Sequence, residues 1–192
     1  MHRTYHTEAI VLGLRPAGET SASARLYTRE LGLISGWVQG ARSMRSKLRY
    51  HVQPFSHSTI SLVRGRELWR VTGAEEAPGS LRPQADHARL PVLARIGSML
   101  VRFVAGEERD AELFDDVRAG FAAILSAEEP QIGTYEATLL LRFFHRLGYI
   151  ADDPQLLPIL RAEKYSAAAD AFQSARPEAI RVINQALRES QL

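Results

Sequence analysis

The sequence predicts an α+β protein in which a small N-terminal β-barrel is followed by an all-helical domain. The first 75 residues contain five short apolar runs separated by glycine-containing breaks, a pattern typical of a small barrel. After Pro83 the apolar residues recur every three to four positions, as they do in amphipathic helices. The segment between the two patterns, Ala77–Pro83, is rich in Pro, Gly and Ser. We therefore expect a barrel domain over residues 1–77 and a helical domain over residues 84–192.

The barrel prediction depends on the five apolar runs. Glycines at the breaks between them supply the backbone conformations that tight turns need. Pro54 is expected at the start or edge of its strand, because proline cannot donate to a sheet ladder. The predicted strands lie at Thr7–Leu14, Ala24–Thr28, Leu33–Val38, His51–Val63 and Leu68–Thr72.

The helical prediction includes several termini. Asp110 and Thr134 are expected to cap the helices that they precede, and Gly148 to end the helix that Thr134 begins. Pro177 is expected in the first turn of a helix. The helix before Gly148 is apolar nearly all round, which indicates the centre of a bundle. The predicted helices lie at Pro91–Val104, Asp110–Leu125, Thr134–Leu147, Pro154–Leu160, Ser166–Ser174 and Pro177–Leu187.

The composition excludes several kinds of chemistry. The chain has 192 residues, with 45% apolar and 24% charged residues and no cysteine. Disulfides, thiolate zinc sites, iron–sulfur clusters and cysteine nucleophiles are therefore excluded. The six histidines show no pair at metal-site spacing beside a carboxylate, so we expect no bound zinc or other protein-ligated metal and no cofactor. No signal-peptide pattern or membrane-length apolar run is present, which favours a cytoplasmic protein without a membrane partner.

The charge is distributed unevenly between the two halves. Residues 1–70 carry 11 Arg and Lys against 4 Asp and Glu, a net charge of +7. Residues 71–192 carry 13 against 18, a net charge of −5. Such asymmetry indicates a polyanionic partner for the basic half.

No motif indicates an enzyme. The acidic pairs, such as Glu75-Glu76 and Asp115-Asp116, lie where helix capping and solvation explain them at least as well as acid–base catalysis. The phosphate loop GxxxxGK[ST], the dinucleotide motif GxGxxG after a strand and the nucleophile elbow GxSxG are absent from the sequence. We therefore predict no catalytic residues. A hydrolase built on a small barrel with a helical lid remains an alternative of another class.

The candidate functional residues are basic and aromatic. Arg and Lys neutralise phosphates, and exposed aromatic rings stack on bases in sequence-tolerant single-strand binding. Four cations, Arg42, Arg45, Lys47 and Arg49, fall within eight residues of one another. Trp37 is flanked by apolar residues and is expected in the core, so Trp69 is the better stacking candidate. The alternative is a solvated basic loop with the aromatic residues filling the barrel. Further nucleic-acid-binding candidates on the neighbouring strands are Arg25, Arg64, Arg66, Trp69 and Arg70.

A family resemblance appears in this region. It is carried by short motifs whose order and spacing are similar to those of the N-terminal domain of the RecO family of bacterial recombination mediators. The resemblance is strong over residues 8–76 and looser over the helical part. The motifs are Gly18-Glu19-Thr20, Thr28-Arg29-Glu30 followed by Gly32, Gly40-Ala41-Arg42, Ser46-Lys47, Gln53-Pro54-Phe55, Arg64-Gly65-Arg66, Ala74-Glu75 and Leu147-Gly148-Tyr149.

The resemblance implies a fold and a function. It implies an oligonucleotide-binding (OB) barrel before a helical domain, and a nucleoid-associated protein that binds single- and double-stranded DNA. It further implies annealing of complementary strands, work with RecR to load RecA onto coated single strands, and no enzymatic turnover. The runner-up interpretation is an OB-fold RNA-binding or ribosome-associated factor.

The resemblance also implies contact with the tail of the single-stranded-DNA-binding protein. Arg142 and Arg146 lie beside abundant apolar sequence and are the candidates for that contact. The alternative is that both side chains merely extend to solvent from a buried helix. Many relatives carry a four-cysteine zinc module after the Leu-Gly-Tyr motif. Here Tyr149 leads into IADDPQLLP, so we expect the helical domain to lack that module.

Overall fold

The N-terminal half of the protein is a closed five-stranded barrel. The structure, a computed structural model, describes residues 3–66, 68–80 and 86–189. The strands of the barrel are β1 (Thr4–Ala17), β2 (Ser21–Thr28), β3 (Gly32–Val38), β4 (His57–Arg64) and β5 (Trp69–Glu76).

The strand order is that of an OB fold. The order around the barrel is β1-β2-β3-β5-β4, and β1 pairs with both β2 and β4 to close it. All pairs are antiparallel except β3 with β5, which are parallel. The barrel interior is filled by small and branched apolar side chains, among them Val11, Leu26, Ile34, Ile60 and Leu62. The predicted α+β fold with an N-terminal OB barrel is therefore confirmed.

The segment before β4 differs from the prediction of a strand over His51–Val63. The strand begins at His57, and the preceding residues form a loop after a single 3-10 turn at Lys47–Tyr50. Phe55 has a φ of 63°, a left-handed conformation that a strand cannot contain. Its N–H donates to the Val11 carbonyl at 2.6 Å, which fixes the loop against β1.

The remaining described elements are helical, and two predicted termini are confirmed. The Asp110 carboxylate accepts the Leu113 N–H at 2.9 Å and caps the second helix. Gly148 has a φ of 80°, and Tyr149 N–H donates to the Phe144 carbonyl, so a glycine C-cap ends the third helix as predicted. The helices are α1 (Arg89–Phe103), α2 (Ala111–Ser126), α3 (Glu129–Arg146), α4 (Leu157–Leu160) and α5 (Tyr165–Glu189).

The largest differences from the predicted helices lie in α3 and α5, while α4 begins at Leu157 rather than Pro154. Helix α3 begins at Glu129 rather than Thr134, because Gln131 accepts the Glu128 N–H and caps an earlier start. The two predicted C-terminal helices form the single helix α5, with Pro177 inside it. Buried residues before and after the proline, such as Phe172 and Ile183, keep the helix packed although proline removes one hydrogen bond.

Packing divides the chain into two compact units, Met1–Phe114 and Asp115–Leu192. Helix α1 therefore belongs to the same unit as the barrel. Part of the predicted linker, residues 81–83, lies outside the described residues, and the domain bounds 1–77 and 84–192 stay a prediction. Within the described part of the chain, no helix combines the length and the apolar character needed to cross a bilayer.

A close contact at Gly32 generates a stability prediction. Gly32 has a φ of 65°, and Leu33 N–H beside it donates to the Gly106 carbonyl at 2.8 Å. A Cβ at Gly32 would overlap the Glu108 carbonyl oxygen and lie 2.8 Å from that of Gly106. We expect Gly32→Ala to lower the free energy of unfolding by more than about 2 kcal/mol in urea titrations, since backbone strain and overlap add.

Gly18 provides the matched control for this substitution. Its φ of 77° carries the same backbone strain, but nothing lies within 4 Å of the position that an added methyl group would take. Gly18→Ala should therefore cost only about 1 kcal/mol. If the two variants lose the same free energy of unfolding, then the overlap with residues 106–108 adds no cost at Gly32.

Candidate nucleic-acid interface

One outer surface of the barrel combines cations with an aromatic ring. In the strand registers Arg25 pairs with Ser35, Ser23 with Trp37, and Trp37 with Arg70. Since alternate residues of a strand face opposite sides, these five side chains share the surface that faces away from the core. We call Ser23, Arg25, Ser35, Trp37 and Arg70 the outer sheet face.

Arg25 is the most restrained cation of this face. Its Nη1 donates to Ser35 Oγ at 3.0 Å, and the side chain is half-buried. Its Nε is buried without a hydrogen-bond partner among the described residues. A guanidinium fixed in this way has a donor available for an incoming anion.

The predicted basic segment is a loop that continues from β3, and we call residues 39–50 the basic loop. Backbone hydrogen bonds shape it: Arg42 N–H donates to the Thr20 carbonyl at 2.9 Å, and Ser46 N–H to Ser43 at 3.1 Å. Buried Ala41 anchors its start. The path of the loop is thus set by its backbone, which leaves the cationic side chains available for phosphates.

The cations of the basic loop are accessible. Arg42, Arg45 and Lys47 are exposed and have no acidic partner among the described residues, whereas Arg49 is half-buried. Met44 and Tyr50 are also exposed, at 77% and 63%. Tyr50 is one of the aromatic residues interleaved with the basic segment in the sequence, whereas Met44 was not predicted, although a large apolar residue inside a basic loop was a visible signal.

The cations around the β4–β5 turn have different surroundings. Arg64 forms an ion pair with Glu107, with Nη1 2.7 Å from Oε1, and its guanidinium lies 4.7 Å from the centre of the Trp69 ring. Burial alone would raise the pKa of Glu107, but hydrogen bonds from Arg64 and Trp69 hold that pKa below its usual value. Arg64 is therefore already neutralised, while Arg66 and Arg70 are exposed.

The two tryptophans lie opposite to their predicted positions. Trp69 is only 5% exposed, its Nε1 donates to Glu107 at 3.1 Å, and its ring meets Tyr5 edge-on. With Arg64 over its face, this ring has no open side for a base. Trp37 is half-buried on the outer sheet face and is better placed for stacking. A shift of one residue in strand register exchanges the inward and outward sides of a strand. The sequence pattern alone did not fix that register, so it did not decide which tryptophan faces inward.

Arg142, one of the two candidates for partner binding, is held within the second unit. Its side chain is 15% exposed, with Nη2 3.2 Å from Asp116 Oδ1, and Nη1 donates to the Ala162 carbonyl at 3.2 Å. The guanidinium also lies 5.0 Å from the centre of the Tyr165 ring. Arg146 is exposed one turn later. Arg142 therefore acts as an internal ion-pair partner, and Arg146 is the more accessible of the two.

Burial dominates the electrostatics around Asp116. It raises the pKa of Asp116 above its usual value, although Arg142 and Arg146 act to lower it. Burial also raises the pKa of the Tyr165 hydroxyl well above 10.0, and the neighbouring Asp116 adds to that rise. The hydroxyl remains protonated and donates to the Asp116 carbonyl at 3.0 Å.

The buried pair predicts a pH-dependent stability effect. Arg142→Ala should lower the free energy of unfolding at pH 7 by about 3 kcal/mol, because it leaves the largely buried Asp116 carboxylate without its ion-pair partner. A pKa raised in the folded state means that the folded protein binds more protons, so stability increases as the pH falls. The deficit should therefore shrink between pH 7 and pH 5 in urea titrations.

Arg146→Ala is the control for this variant. Its exposed side chain should contribute less than about 1 kcal/mol, as surface charges usually do. If the loss of unfolding free energy in Arg142→Ala stays constant or grows toward pH 5, the Asp116 carboxylate does not have the raised pKa assigned to it.

No metal centre is visible among residues 3–66, 68–80 and 86–189. Within those ranges, no three His, Asp or Glu side chains are grouped closely enough to hold an ion. The interface described above combines cations, hydroxyls and the aromatic rings of Trp37 and Tyr50, which is chemistry suited to binding a polyanion.

Comparison with known proteins gives consistent matches. Residues 1–77 match the family described as "Recombination protein O N terminal". The chain is 32% identical over 148 residues to the DNA repair protein RecO of Heliobacterium modesticaldum, covering 77% of this chain and 52% of that protein. It is 34% identical over 160 residues to RecO of Desulforudis audaxviator, covering 82% and 53%. The chain spans about half the length of the curated relatives it matches.

Proposed function

We propose that this chain, whose residues 1–77 match the N-terminal domain of the RecO family, is a DNA-binding recombination mediator of that family. In this proposal it anneals complementary strands and helps load recombinase onto single-stranded DNA during homologous recombination and repair. The observation that carries the proposal is the basic surface of the OB barrel, where the basic loop extends from β3 beside the outer sheet face.

The surface suits backbone binding rather than base recognition. Arg42, Arg45 and Lys47 are exposed and close together in the chain, so they can follow a phosphate backbone. Phosphate contacts carry no sequence information, and binding should be nearly independent of sequence. Both single- and double-stranded DNA are therefore proposed ligands, as a protein working at many chromosomal sites requires.

The proposed partners act at the same DNA. The proposed direct partners are RecR and the tail of the single-stranded-DNA-binding protein, and RecA is an indirect partner. We propose that the chain meets them at the nucleoid. Arg146 is the candidate for the tail contact, because its side chain is exposed, whereas Arg142 forms an ion pair with Asp116. We propose binding and annealing without enzymatic turnover, because the cations, hydroxyls and aromatic rings of the interface suit binding of a polyanion.

The direct test is strand annealing. The purified chain should accelerate pairing of two complementary DNA strands coated with single-stranded-DNA-binding protein. Fluorescence energy transfer between labels on the two strands measures the rate of pairing. Matched RNA strands serve as the comparison. Annealing no faster than in the absence of the chain would overturn the proposal, and a clear preference for RNA would favour an RNA-binding factor.

Salt titration tests which cations carry the binding. If four to six phosphates are neutralised, the log of single-strand affinity should fall against log salt with a slope of roughly −3 to −4. Arg45→Ala/Lys47→Ala should flatten that slope by about 1 to 2, because two phosphate contacts are lost. The measurement is fluorescence anisotropy of one labelled oligonucleotide at several salt concentrations.

The control pair is Arg64→Ala/Arg66→Ala, measured on the same oligonucleotide. Because Arg64 is already paired with Glu107, this variant should flatten the slope by less than the first pair does. The reverse ranking, with the wild-type slope kept in Arg45→Ala/Lys47→Ala, would move the main DNA contact from the basic loop to the β4–β5 turn.

A further inference from the structure

A deep groove separates helix α1 from the outside of the barrel. It has a volume of about 530 Å³, within the range of small-molecule sites. Its apolar wall comes from β1, the loop before β4 and one side of α1. The main apolar residues are Leu12, Leu14, Phe55, Ala94, Gly97 and Val101.

Cations and hydroxyls also line the groove. Arg15 and Arg25 contribute the cations, and Ser23, Ser35 and Ser98 contribute the hydroxyls. Arg25 is the residue whose Nε is buried without a partner among the described residues. An anion entering the groove would supply the acceptor that this donor lacks.

Two backbone features shape the groove. Helix α1 packs on Phe55 at Gly97, where an added Cβ would lie 3.4 Å from the Phe55 ring, in van der Waals contact. Phe55 has a φ of 63°, a conformation that costs a bulky residue about 1–2 kcal/mol. This strain places an aromatic ring in the groove wall, and such strain is concentrated at binding sites.

The combination of walls fits a nucleotide. A base is a flat ring that packs on aromatic and aliphatic side chains, and the attached phosphate is an anion that an arginine fork binds well. The groove is also continuous with the outer sheet face, because Ser23, Arg25 and Ser35 belong to both. A strand lying along that face passes the mouth of the groove.

We propose that this groove binds one unpaired nucleotide of a DNA single strand, with the base on the apolar wall that Phe55 and α1 form together and a phosphate on Arg25. The proposal rests on the proposed function and specifies which form of DNA the interface distinguishes. A base held in a duplex cannot enter the groove, so the groove adds affinity for single strands alone. Duplex DNA is bound by the exposed cations only.

The test fills the groove from the helix side without removing a cation. Ala94 is exposed on α1 and lines the groove, so Ala94→Trp places a large ring in it. The variant should bind a single-stranded oligonucleotide about tenfold more weakly, which corresponds to the loss of one base-stacking contact. Its affinity for a duplex of the same length, and its salt slope, should stay as in the wild type.

Ala167→Trp is the matched control, since Ala167 is an exposed alanine on α5, outside this unit. It should bind both forms of DNA as the wild type does. Ser98→Trp provides a second filling variant, because among the described residues the Ser98 hydroxyl donates only to the Ala94 carbonyl of its own helix. Circular dichroism melts select the filling variants that remain folded.

The outcomes separate the two levels of the proposal. If folded Ala94→Trp and Ser98→Trp bind single strands as tightly as the wild type, the groove is not a nucleotide site, while the proposed function stands. If the wild type binds neither form of DNA, the proposed function itself fails. A peptide with an aromatic residue and a free terminal carboxylate that binds the wild type but not Ala94→Trp, while single-strand affinity is unchanged, would overturn the nucleotide assignment in favour of a peptide.

Discussion

Closure of the barrel through β1 is the constraint on which the interface depends. Strand β1 has 14 residues and pairs with β2 along its second half and with β4 along its first half. A register shift between Val11 and Gly13 accommodates the bend between the two pairings. Closure fixes the inward and outward sides of every strand, since a one-residue slip would exchange them. Arg25, Trp37 and Arg70 share an outer surface for this reason.

Local pairing then decides what each arginine can do. Arg64 and Arg142 have carboxylate partners and aromatic rings beside them, so both contribute to packing within their own units. The cations of the basic loop have no such carboxylates among the described residues, and their positive field is directed to solvent. Net charge alone, at +7 for residues 1–70, does not distinguish these roles. The distinction comes from the positions of Glu107 and Asp116.

Strand and helix positions were largely predictable because they follow from periodicity and local capping. The Asp110 cap and the Gly148 terminus depend on short-range hydrogen bonds that the sequence itself contains. Residues 51–56 were not predictable as a loop, since their apolar pattern resembles a strand and the φ of Phe55 is imposed by its contact with β1. Pro177 continues a helix because tertiary packing outweighs its local cost.

The candidate site was predictable in composition and less so in geometry. The cluster of cations at 42–49 was visible as a run, and the structure exposes most of it. The roles of Trp37 and Trp69 depend on strand register, and the groove beside α1 depends on residues far apart in the chain. Neither feature leaves a local signal, because both arise from long-range packing.

We propose that DNA binds the outer surface of the OB barrel, including the basic loop. Amide chemical-shift mapping of the ¹⁵N-labelled chain during titration with a short oligothymidylate locates the bound strand. The largest shifts are expected on β2, β3 and residues 39–50. Shifts concentrated in residues 115–189, with the barrel surface unchanged, would contradict it.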